Sequence, residues 1–567
     1  MANDKGGSYV DKMKRWRSTT QQTAKNAEKT EGSIEKMQPQ LNDVYIRVHD
    51  IQDRAYDILA MVRTTGSRRY TDGHIEDPNA DFLVQNKLSD IYYADPHDAK
   101  TPVSQLKVSR RAANLGVRFE DFLRPEERIA EIRETVSAAT AGTGKGKTVD
   151  FAGTRTSELN ALMGGTDALT INITSTRIEA DECIKLRSNI SLAGNGARIT
   201  AGKDLKYIIL GDGCSDISVS GLELCGGNHG LYLSGSNNVR IEGNTIHAVG
   251  NRPFTIVSGG NIYVADNNIF DNAWGGMYIT KNAANCVIEK NNVHDNHGTS
   301  NIAAGITMTA KPVDHPLDFT EDLDETQRLC KAATAALEDL TDAPCNIVVA
   351  NNNVSRNNSS GIYNDGAYLI YVIDNIVRGN DKEGMCFDYG AIASYICGNY
   401  VEGNGTRSRQ TDKDLQLDFI WDFGRLPDGS AAAKLPGISL DNTMWNIIVK
   451  NTVKGNSGSG IKAVRTAAEN IILENAVIDN NEGRSDVFHF FGIELGANMV
   501  SDHDGDTFLD YAPDYGNIVT RNVVTGRHYA GIFLAEKCRG NEIRDNTVVD
   551  YLHLTVEDIS ASRNTII

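Results

Sequence analysis

The stretch from Asn364 to Gly390 reads NDGAYLIYVIDNIVRGNDKEGMCFDYG, and its two ends resemble each other. Asp365 closes one apolar run near the start, and Asp388 closes the next run 23 residues further on. Asparagine and glycine separate the apolar runs, and both residues tolerate the positive φ of tight bends. The stretch therefore predicts short strands joined by bends, in a unit that repeats.

The same unit recurs through most of the chain. Its marker is an asparagine two places before an Ile or Val, and neighbouring markers are 23 or 24 residues apart except where insertions enlarge the interval. The markers are Asn244, Asn267, Asn291, Asn352, Asn375, Asn399, Asn451, Asn475, Asn522 and Asn546. One unit cannot bury its apolar face alone, so the units must stack. We predict a mainly β solenoid of coils of about 23–24 residues, with the asparagines hydrogen-bonded in a ladder from coil to coil.

The repeat defines the expected domains. Residues 149–567 form the solenoid, with loop insertions at 297–343, 405–436 and 484–515. Residues 67–148 are a mixed loop and helical connector, in which Pro125 opens a helical stretch as its first residue. Residues 1–66 combine a flexible arm with a helix.

The N-terminal helix has a heptad pattern. Its apolar positions are Leu41, Val44, Val48, Ile51, Ala55, Ile58 and Val62. β-Branched residues at the d positions disfavour a parallel dimer, which predicts a coiled coil that is most readily trimeric and hence a homotrimer. An amphipathic helix that packs on its own domain is the alternative, because three heptads are few.

Composition narrows the classes of partner. The formal charge of −18 disfavours nucleic acid, whose phosphates require a basic protein surface. The first residues lack the apolar segment of a secretory signal, and no stretch is long enough to span a membrane. We expect no membrane insertion and synthesis in the cytoplasm, with association with a virion or export by a route other than Sec. The nine cysteines include no C-x-x-C pair, which predicts free thiols.

Repeat length, bend asparagines and apolar alternation together resemble the pectin-lyase-like superfamily of right-handed parallel β-helices. The resemblance covers residues 149–567 and implies a right-handed solenoid. With an α-helical coiled-coil module ahead of a long β-helix, the chain also resembles phage tailspikes that depolymerise surface glycans, and other polysaccharide-processing enzymes.

Three aspartates occupy one column of the repeat. Asp365, Asp388 and Asp441 each lie four places after the glycine that opens their strand, so strand alternation directs them to the outer face. Successive coils are about 4.8 Å apart, and carboxylates at that distance repel, which raises the pKa of one of them as a general acid requires. We therefore predict that two of the three act as acid and base or nucleophile, with Glu494 as a further carboxylate.

Other side chains complete the predicted groove. Tyr363, Ser439 and Lys462 lie two places after their glycines and share the aspartates' face. The second insertion contributes Trp421, Asp422 and Arg425, which suit stacking on a sugar and binding its hydroxyls, and the third contributes His489. A solvated polar face, or a structural cation between the carboxylates, is the alternative interpretation.

The run SDHDGDTFLD in the third insertion partly resembles a calcium loop. Asp502, Asp504 and Asp506 are its candidate ligands, but the terminal Glu of the full pattern is missing, so a polar turn is the alternative. We expect no required cofactor, with calcium as an option.

Three functions remain open on the sequence. The first is a glycoside hydrolase that cleaves a polysaccharide with paired aspartates. The second is a lyase or epimerase acting on a uronate polymer, in which Lys462 or Tyr363 would serve as the base. The third is a glycan-binding fibre or structural protein without catalysis.

Overall fold

The fold was analysed in a computed structural model. It describes residues 124–143, 146–298, 300–310, 342–388, 390–405, 435–441, 443–464, 467–480, 491–496, 514, 516–526, 528–535, 538, 540–558 and 564–567. The predicted arm and coiled coil of residues 1–66 lie outside these ranges, so the helix and the trimer remain predictions. No helix in the described part of the chain is long and apolar enough to cross a membrane.

Two helices precede or interrupt the first coils. Helix α1 (Pro125–Thr140) begins at the predicted proline and buries Ile132 and Val136 against strands of the solenoid. Helix α2 (Thr156–Leu162) begins where Glu158 accepts a hydrogen bond of 2.9 Å from the backbone N–H of Thr154. The helical stretch that the sequence predicts at Pro125 is thus confirmed.

The described strands form a parallel solenoid of about 13 turns with coils of about 24 residues. They are numbered in chain order and belong to three ladders, A, B and C, because each coil contributes one strand segment to each ladder. Strands β5, β7, β8 and β10 bend and run through two ladders.

Ladder A carries the candidate site. Its strands are β4 (Ile184–Leu186), β6 (Tyr207–Asp212), β8 (His229–Glu242), β10 (Phe254–Ala265), β12 (Met277–Thr280), β15 (Ile306–Thr309), β18 (Ile362–Asp365), β21 (Met385–Asp388), β24 (Ile438–Asp441), β27 (Ile461–Val464), β30 (Ile493–Leu495), β33 (Ala530–Leu534) and β36 (Leu554–Asp558).

Ladder B supports helix α1. Its strands are β1 (Lys147–Phe151), β2 (Leu169–Ile173), β5 (Ile190–Ala201), β7 (Ser215–Gly226), β8, β10, β13 (Ala284–Glu289), β16 (Cys345–Ala350), β19 (Tyr368–Ile373), β22 (Ile392–Cys397), β25 (Ile447–Val449), β28 (Ile471–Leu473), β31 (Ile518–Thr520), β34 (Glu542–Arg544) and β37 (Thr565–Ile566).

Ladder C closes the coil. Its strands are β3 (Arg177–Ala180), β5, β7, β9 (Thr245–His247), β11 (Asn268–Phe270), β14 (Asn292–His294), β17 (Asn353–Ser355), β20 (Ile376–Arg378), β23 (Tyr400–Glu402), β26 (Thr452–Lys454), β29 (Ala476–Ile478), β32 (Val523–Thr525) and β35 (Thr547–Val549).

The marker asparagines form the predicted ladder. From Asn244 to Asn546, the side-chain amide of each donates to the side-chain oxygen of the next over 2.9–3.0 Å. A second ladder runs five residues further along each coil, from Asn272 through Asn480 to His528. Because these amides pair with each other and with backbone carbonyls, the bends stay buried without losing hydrogen bonds.

The core lies inside the three ladders. Alternate strand residues such as Ile362, Phe387 and Leu440 point into it and are fully buried. Two of the expected insertions, 297–343 and 484–515, contain regular strands of ladder A, β15 and β30. Strand pairing also continues past the interruptions of the chain, since β15 pairs with β18 and β21 pairs with β24. Coil register is therefore set by the repeat and is independent of the length of chain between coils.

Candidate functional site

The outward positions of ladder A form two columns of mostly polar side chains. The first column is Tyr232, Thr255, Tyr278, Thr307, Tyr363, Cys386, Ser439, Lys462 and Glu494. The second is Ser234, Val257, Thr280, Thr309, Asp365, Asp388, Asp441 and Val464. Counting residues from each glycine thus predicted the columns in register.

We call Asp365, Asp388 and Asp441 the acidic row. Asp365 and Asp388 are direct partners in the pairing of β18 with β21, and Asp441 follows Leu440, the partner of Phe387. The sequence predicted an open, outer groove, but the three aspartates are only 1%, 7% and 4% exposed. Strand alternation determines which face of the sheet a side chain points to, but not whether other residues cover that face. The burial of the three aspartates could therefore not be predicted from the sequence.

Hydroxyl groups of the preceding coil hold two members of the row. Thr309 Oγ1 donates to Asp365 Oδ2 over 2.9 Å. The Tyr363 hydroxyl donates to Asp388 Oδ2 over 3.3 Å. Each carboxylate is therefore oriented by a donor one coil upstream, as a preorganised acid or base requires.

A buried ion pair lies at the downstream end of the columns. Lys462 Nζ is 3.8 Å from Glu494 Oε1, and the two side chains are 1% and 4% exposed. Ser459 Oγ donates to Glu494 Oε2 over 2.6 Å. The predicted carboxylate Glu494 thus neutralises the predicted cation Lys462, and both are satisfied within the protein.

Sequence reasoning missed a further carboxylate beside the acidic row. Glu383, in the bend before β21, is buried and accepts a hydrogen bond of 2.7 Å from Ser360 Oγ. Both residues immediately precede the glycine that opens their strand. Positions immediately before the glycine lie in the bend, where strand alternation does not predict the direction of a side chain, so the sequence pattern did not indicate Glu383.

The polar face continues upstream of the acidic row. Burial chiefly raises the pKa of Tyr278 to about 12, and the negative charge of Asp365 contributes to the rise. Since Tyr278 and Asp365 are separated by β15, electrostatic influence extends over two coils of ladder A. Tyr278 therefore lies within electrostatic range of the acidic row.

Several predicted residues lie outside the described ranges. They are Trp421, Asp422, Arg425, His489, Asp502, Asp504 and Asp506. Their roles in sugar or calcium binding remain predictions. The eight described cysteines are free thiols, as the absence of a C-x-x-C pair predicted.

Fold and site together define a parallel β-solenoid with a buried carboxylate row on one ladder. Two family models match it: "Right handed beta helix region" over residues 207–316, and "Periplasmic copper-binding protein (NosD)" over residues 337–489. The right-handed β-helix that the sequence predicts is thereby confirmed. No curated protein sequence matches the chain.

Solved structures with similar folds include proteins with different roles. The A-module of mannuronan C-5 epimerase AlgE4 from Azotobacter vinelandii is 15% identical over 72% of this chain and 93% of that chain, with a TM-score of 0.46. PfbA, a surface adhesin of Streptococcus pneumoniae, is 13% identical over 75% and 86%, with a TM-score of 0.39. A GH87 α-1,3-glucanase from Streptomyces thermodiastaticus is 11% identical over 75% and 66%, with a TM-score of 0.37. Such distant likenesses do not identify a substrate or a reaction.

The description of the second family model raises the question of a copper site. Copper favours sulfur and imidazole ligands. Among the residues that the structure describes, no three His, Cys, Asp or Glu side chains gather closely enough to hold a metal ion. The described residues therefore do not fit a copper centre, and the chemistry proposed below uses none.

Proposed function

We propose that this chain is a glycoside hydrolase that cleaves a polysaccharide with the carboxylates of the acidic row. The observation that carries the proposal is the direct pairing of Asp365 with Asp388 on neighbouring coils, both buried. Two carboxylates placed this close repel each other, which costs free energy of folding and suggests a functional role. Acid–base or nucleophilic catalysis at a glycosidic bond requires two carboxyl groups.

Coil spacing favours Asp388 as the central residue. Neighbouring coils place carboxylates about 4.8 Å apart, close to the separation of about 5–5.5 Å in retaining enzymes. Asp388 belongs to both neighbouring pairs, with Asp365 on one side and Asp441 on the other. The pair of Asp365 and Asp441 would be about 9–10 Å apart, at the upper limit of the inverting range of about 6.5–9.5 Å. We therefore propose retention of configuration, with Asp388 as an obligatory member of the pair.

The sugar would approach near Asp388. Asp388 and Ser439 are each 7% exposed, whereas Asp365 and Tyr363 are 1% exposed. Ser439 lies one coil downstream, as the partner of Cys386. In this proposal the Asp388 carboxylate contacts the anomeric carbon, and the hydroxyl of Ser439 binds the same sugar.

Lyase or epimerase chemistry is the second candidate. The Tyr363 hydroxyl, 3.3 Å from Asp388 Oδ2, is the observation that favours it, since a phenol beside a carboxylate can transfer a proton. Lyase action would leave an unsaturated sugar, and epimerisation would leave the chain length unchanged.

The test is incubation with a panel of neutral and acidic polysaccharides. New reducing ends and unsaturated-uronate absorbance are read in parallel, and the anomer first released is identified by NMR. Reducing ends without unsaturation, released with retained configuration, are the expected result. Unsaturation would transfer the assignment to a lyase, and the absence of any cleavage across the panel would contradict the proposal.

A further inference from the structure

The upstream part of ladder A carries an aromatic and cationic cluster that the acidic row does not use. Tyr207 and Tyr232 lie on successive strands with ring centroids 4.8 Å apart, and His229 lies 5.3 Å from Tyr207. These three rings are half-buried. Aromatic rings partly open to solvent on consecutive coils form a surface on which an extended ligand can stack along the solenoid axis.

Arg252 is held at the centre of the cluster. Its guanidinium carbon lies 4.3 Å from the ring centroid of Trp274 and 3.9 Å from that of Tyr278. The side chain is only 9% exposed, so the two rings fix the guanidinium plane and limit its motion. An arginine held in this way is preorganised for a planar, bidentate anion such as a carboxylate.

Local charge around the cluster is positive although the chain is acidic overall. Lys206 Nζ lies 5.1 Å from the ring centroid of Tyr207. Burial, together with the charges of Arg252 and Lys206, lowers the pKa of His229 to about 4. His229 is therefore neutral at pH 7, and the cluster presents two permanent cations.

Buried polar atoms of the cluster without a hydrogen-bond partner among the described residues include His229 Nδ1 and Thr255 Oγ1. Thr255 lies between Tyr232 and Tyr278 in the first column. Buried polar atoms without partners are uncommon in native proteins and cost free energy unless a ligand or water satisfies them. The cluster therefore retains hydrogen-bonding capacity that the described part of the chain does not use.

We propose that Tyr207, His229, Tyr232 and Arg252 form a subsite that binds an acidic sugar residue of the polysaccharide. The Arg252 guanidinium binds the sugar carboxylate, and the half-buried rings of Tyr207, His229 and Tyr232 pack on sugar faces. Tyr207 lies five coils upstream of Asp365, about 24 Å along the axis, so one extended chain could reach the subsite and the acidic row. The inference rests on the proposed function for the identity of the ligand as a polysaccharide.

The test compares binding of one polymer in two charge states. Polygalacturonate fragments and the same fragments with their carboxylates methyl-esterified are titrated calorimetrically into the full chain. We expect esterification to weaken binding by about tenfold to a hundredfold, the loss that follows removal of a charge-assisted hydrogen bond. Equal binding of both forms, or no binding of the acidic form, would overturn the inference.

A variant locates the site. Arg252→Met removes the cation and keeps an unbranched apolar side chain, and Arg240→Met is the matched control, since Arg240 lies 4.4 Å from the ring centroid of Tyr263 on ladder B. Arg252→Met should reduce affinity for the acidic form by about tenfold or more, and Arg240→Met should leave it unchanged. Equal affinity of both variants would place the anion elsewhere.

The two proposals fail separately. Binding of the acidic form that depends on Arg252, with no cleavage of any polymer, would refute hydrolysis and leave the subsite intact. Cleavage whose KM for the acidic polymer is unchanged in Arg252→Met would support hydrolysis and refute the subsite. If Arg252→Met fails to fold, Lys206→Met at an exposed position of the same cluster takes its place, and unchanged affinity for the acidic form in that variant would refute the subsite.

Discussion

Asp365 and Asp388 are direct partners on neighbouring strands of ladder A, and each accepts a hydrogen bond from a hydroxyl of the preceding coil. The repeat therefore sets the positions of functional side chains as well as the positions of the strands. It brings residues that are 23 positions apart in sequence to the spacing of one strand. This register holds the two carboxyl groups at a fixed separation.

The Tyr363 hydroxyl orients Asp388, and its removal should reduce activity more than stability. In Tyr363→Phe the ring remains in its buried position, while Asp388 loses the hydrogen bond of 3.3 Å. We expect kcat to fall by about tenfold or more, because a misplaced acid or base loses much of its effect. Tyr371→Phe, at another buried tyrosine on β19 of ladder B, is the control. Equal kcat in Tyr363→Phe and the unmodified chain would exclude this orienting role.

The buried pair of Lys462 and Glu494 should be strongly coupled. Lys462→Met leaves a buried carboxylate without its cation and should cost about 3–5 kcal/mol. Adding Glu494→Gln should restore much of that loss, since the amide carries no charge and can still accept from Ser459. Thermal unfolding of both single variants and the double variant measures the coupling. Additive losses would show that the two side chains do not interact.

The end of the second asparagine ladder makes stability depend on pH. His528 Nε2 accepts from the backbone N–H of Asn480 over 3.1 Å, and burial lowers the pKa of His528 from 6.5 to about 4. Between pH 6.5 and pH 4, His528 is protonated in the unfolded chain and remains neutral in the folded chain. The free energy of unfolding therefore falls as pH falls through this range. The loss reaches up to about 3 kcal/mol.

His528→Gln tests this directly, because the Gln side-chain oxygen can accept from Asn480 and does not titrate. The variant should lose less Tm than the unmodified chain between pH 7 and pH 4.5. A residual loss remains from His229, whose pKa is also lowered to about 4. Identical pH dependence of Tm in the two proteins would contradict the assignment.

Asparagines in the middle of the first ladder should matter more than those at its end. Asn375 accepts from the backbone and side-chain amides of Asn352 and donates to Val349 and Asn399. Asn375→Ala leaves these buried groups unpaired and should cost at least about 2 kcal/mol. Asn546→Ala, at a half-buried position, should cost less because water can replace its bonds. Equal decreases in Tm would show that burial of the ladder is not what makes it stabilising.

The sequence predicted the solenoid because its marker asparagines recur with the coil. The second ladder was missed although Asn272 and Asn380 each follow a marker by five residues. Its register is equally regular, so the signal was present. Near its end the interval changes, since His528 follows Asn522 by six residues, and a longer side chain takes the place of asparagine.

Contacts of the site were less predictable than its columns. Thr309 and Asp365 are partners across 56 residues of sequence, so only the folded register shows that one donates to the other. The upstream cluster was missed because only Tyr232 and Tyr278 lie in the first column, while Tyr207 and His229 pair with each other three residues earlier in their strands. The role of Tyr278 in the cluster depends on Arg252, a residue of the bend before β10, whose guanidinium carbon lies 3.9 Å from the Tyr278 ring centroid.

The most direct test of the account is reducing-end release by Asp388→Asn, measured beside Asp212→Asn. Asp212 heads the same column on β6 and is exposed, so it controls for loss of one negative charge at this position of the coil. The account predicts that Asp388→Asn loses at least about a hundredfold in activity while keeping its Tm, and that Asp212→Asn is unchanged. Full activity in Asp388→Asn on a polysaccharide that the unmodified chain cleaves would contradict catalysis by the acidic row.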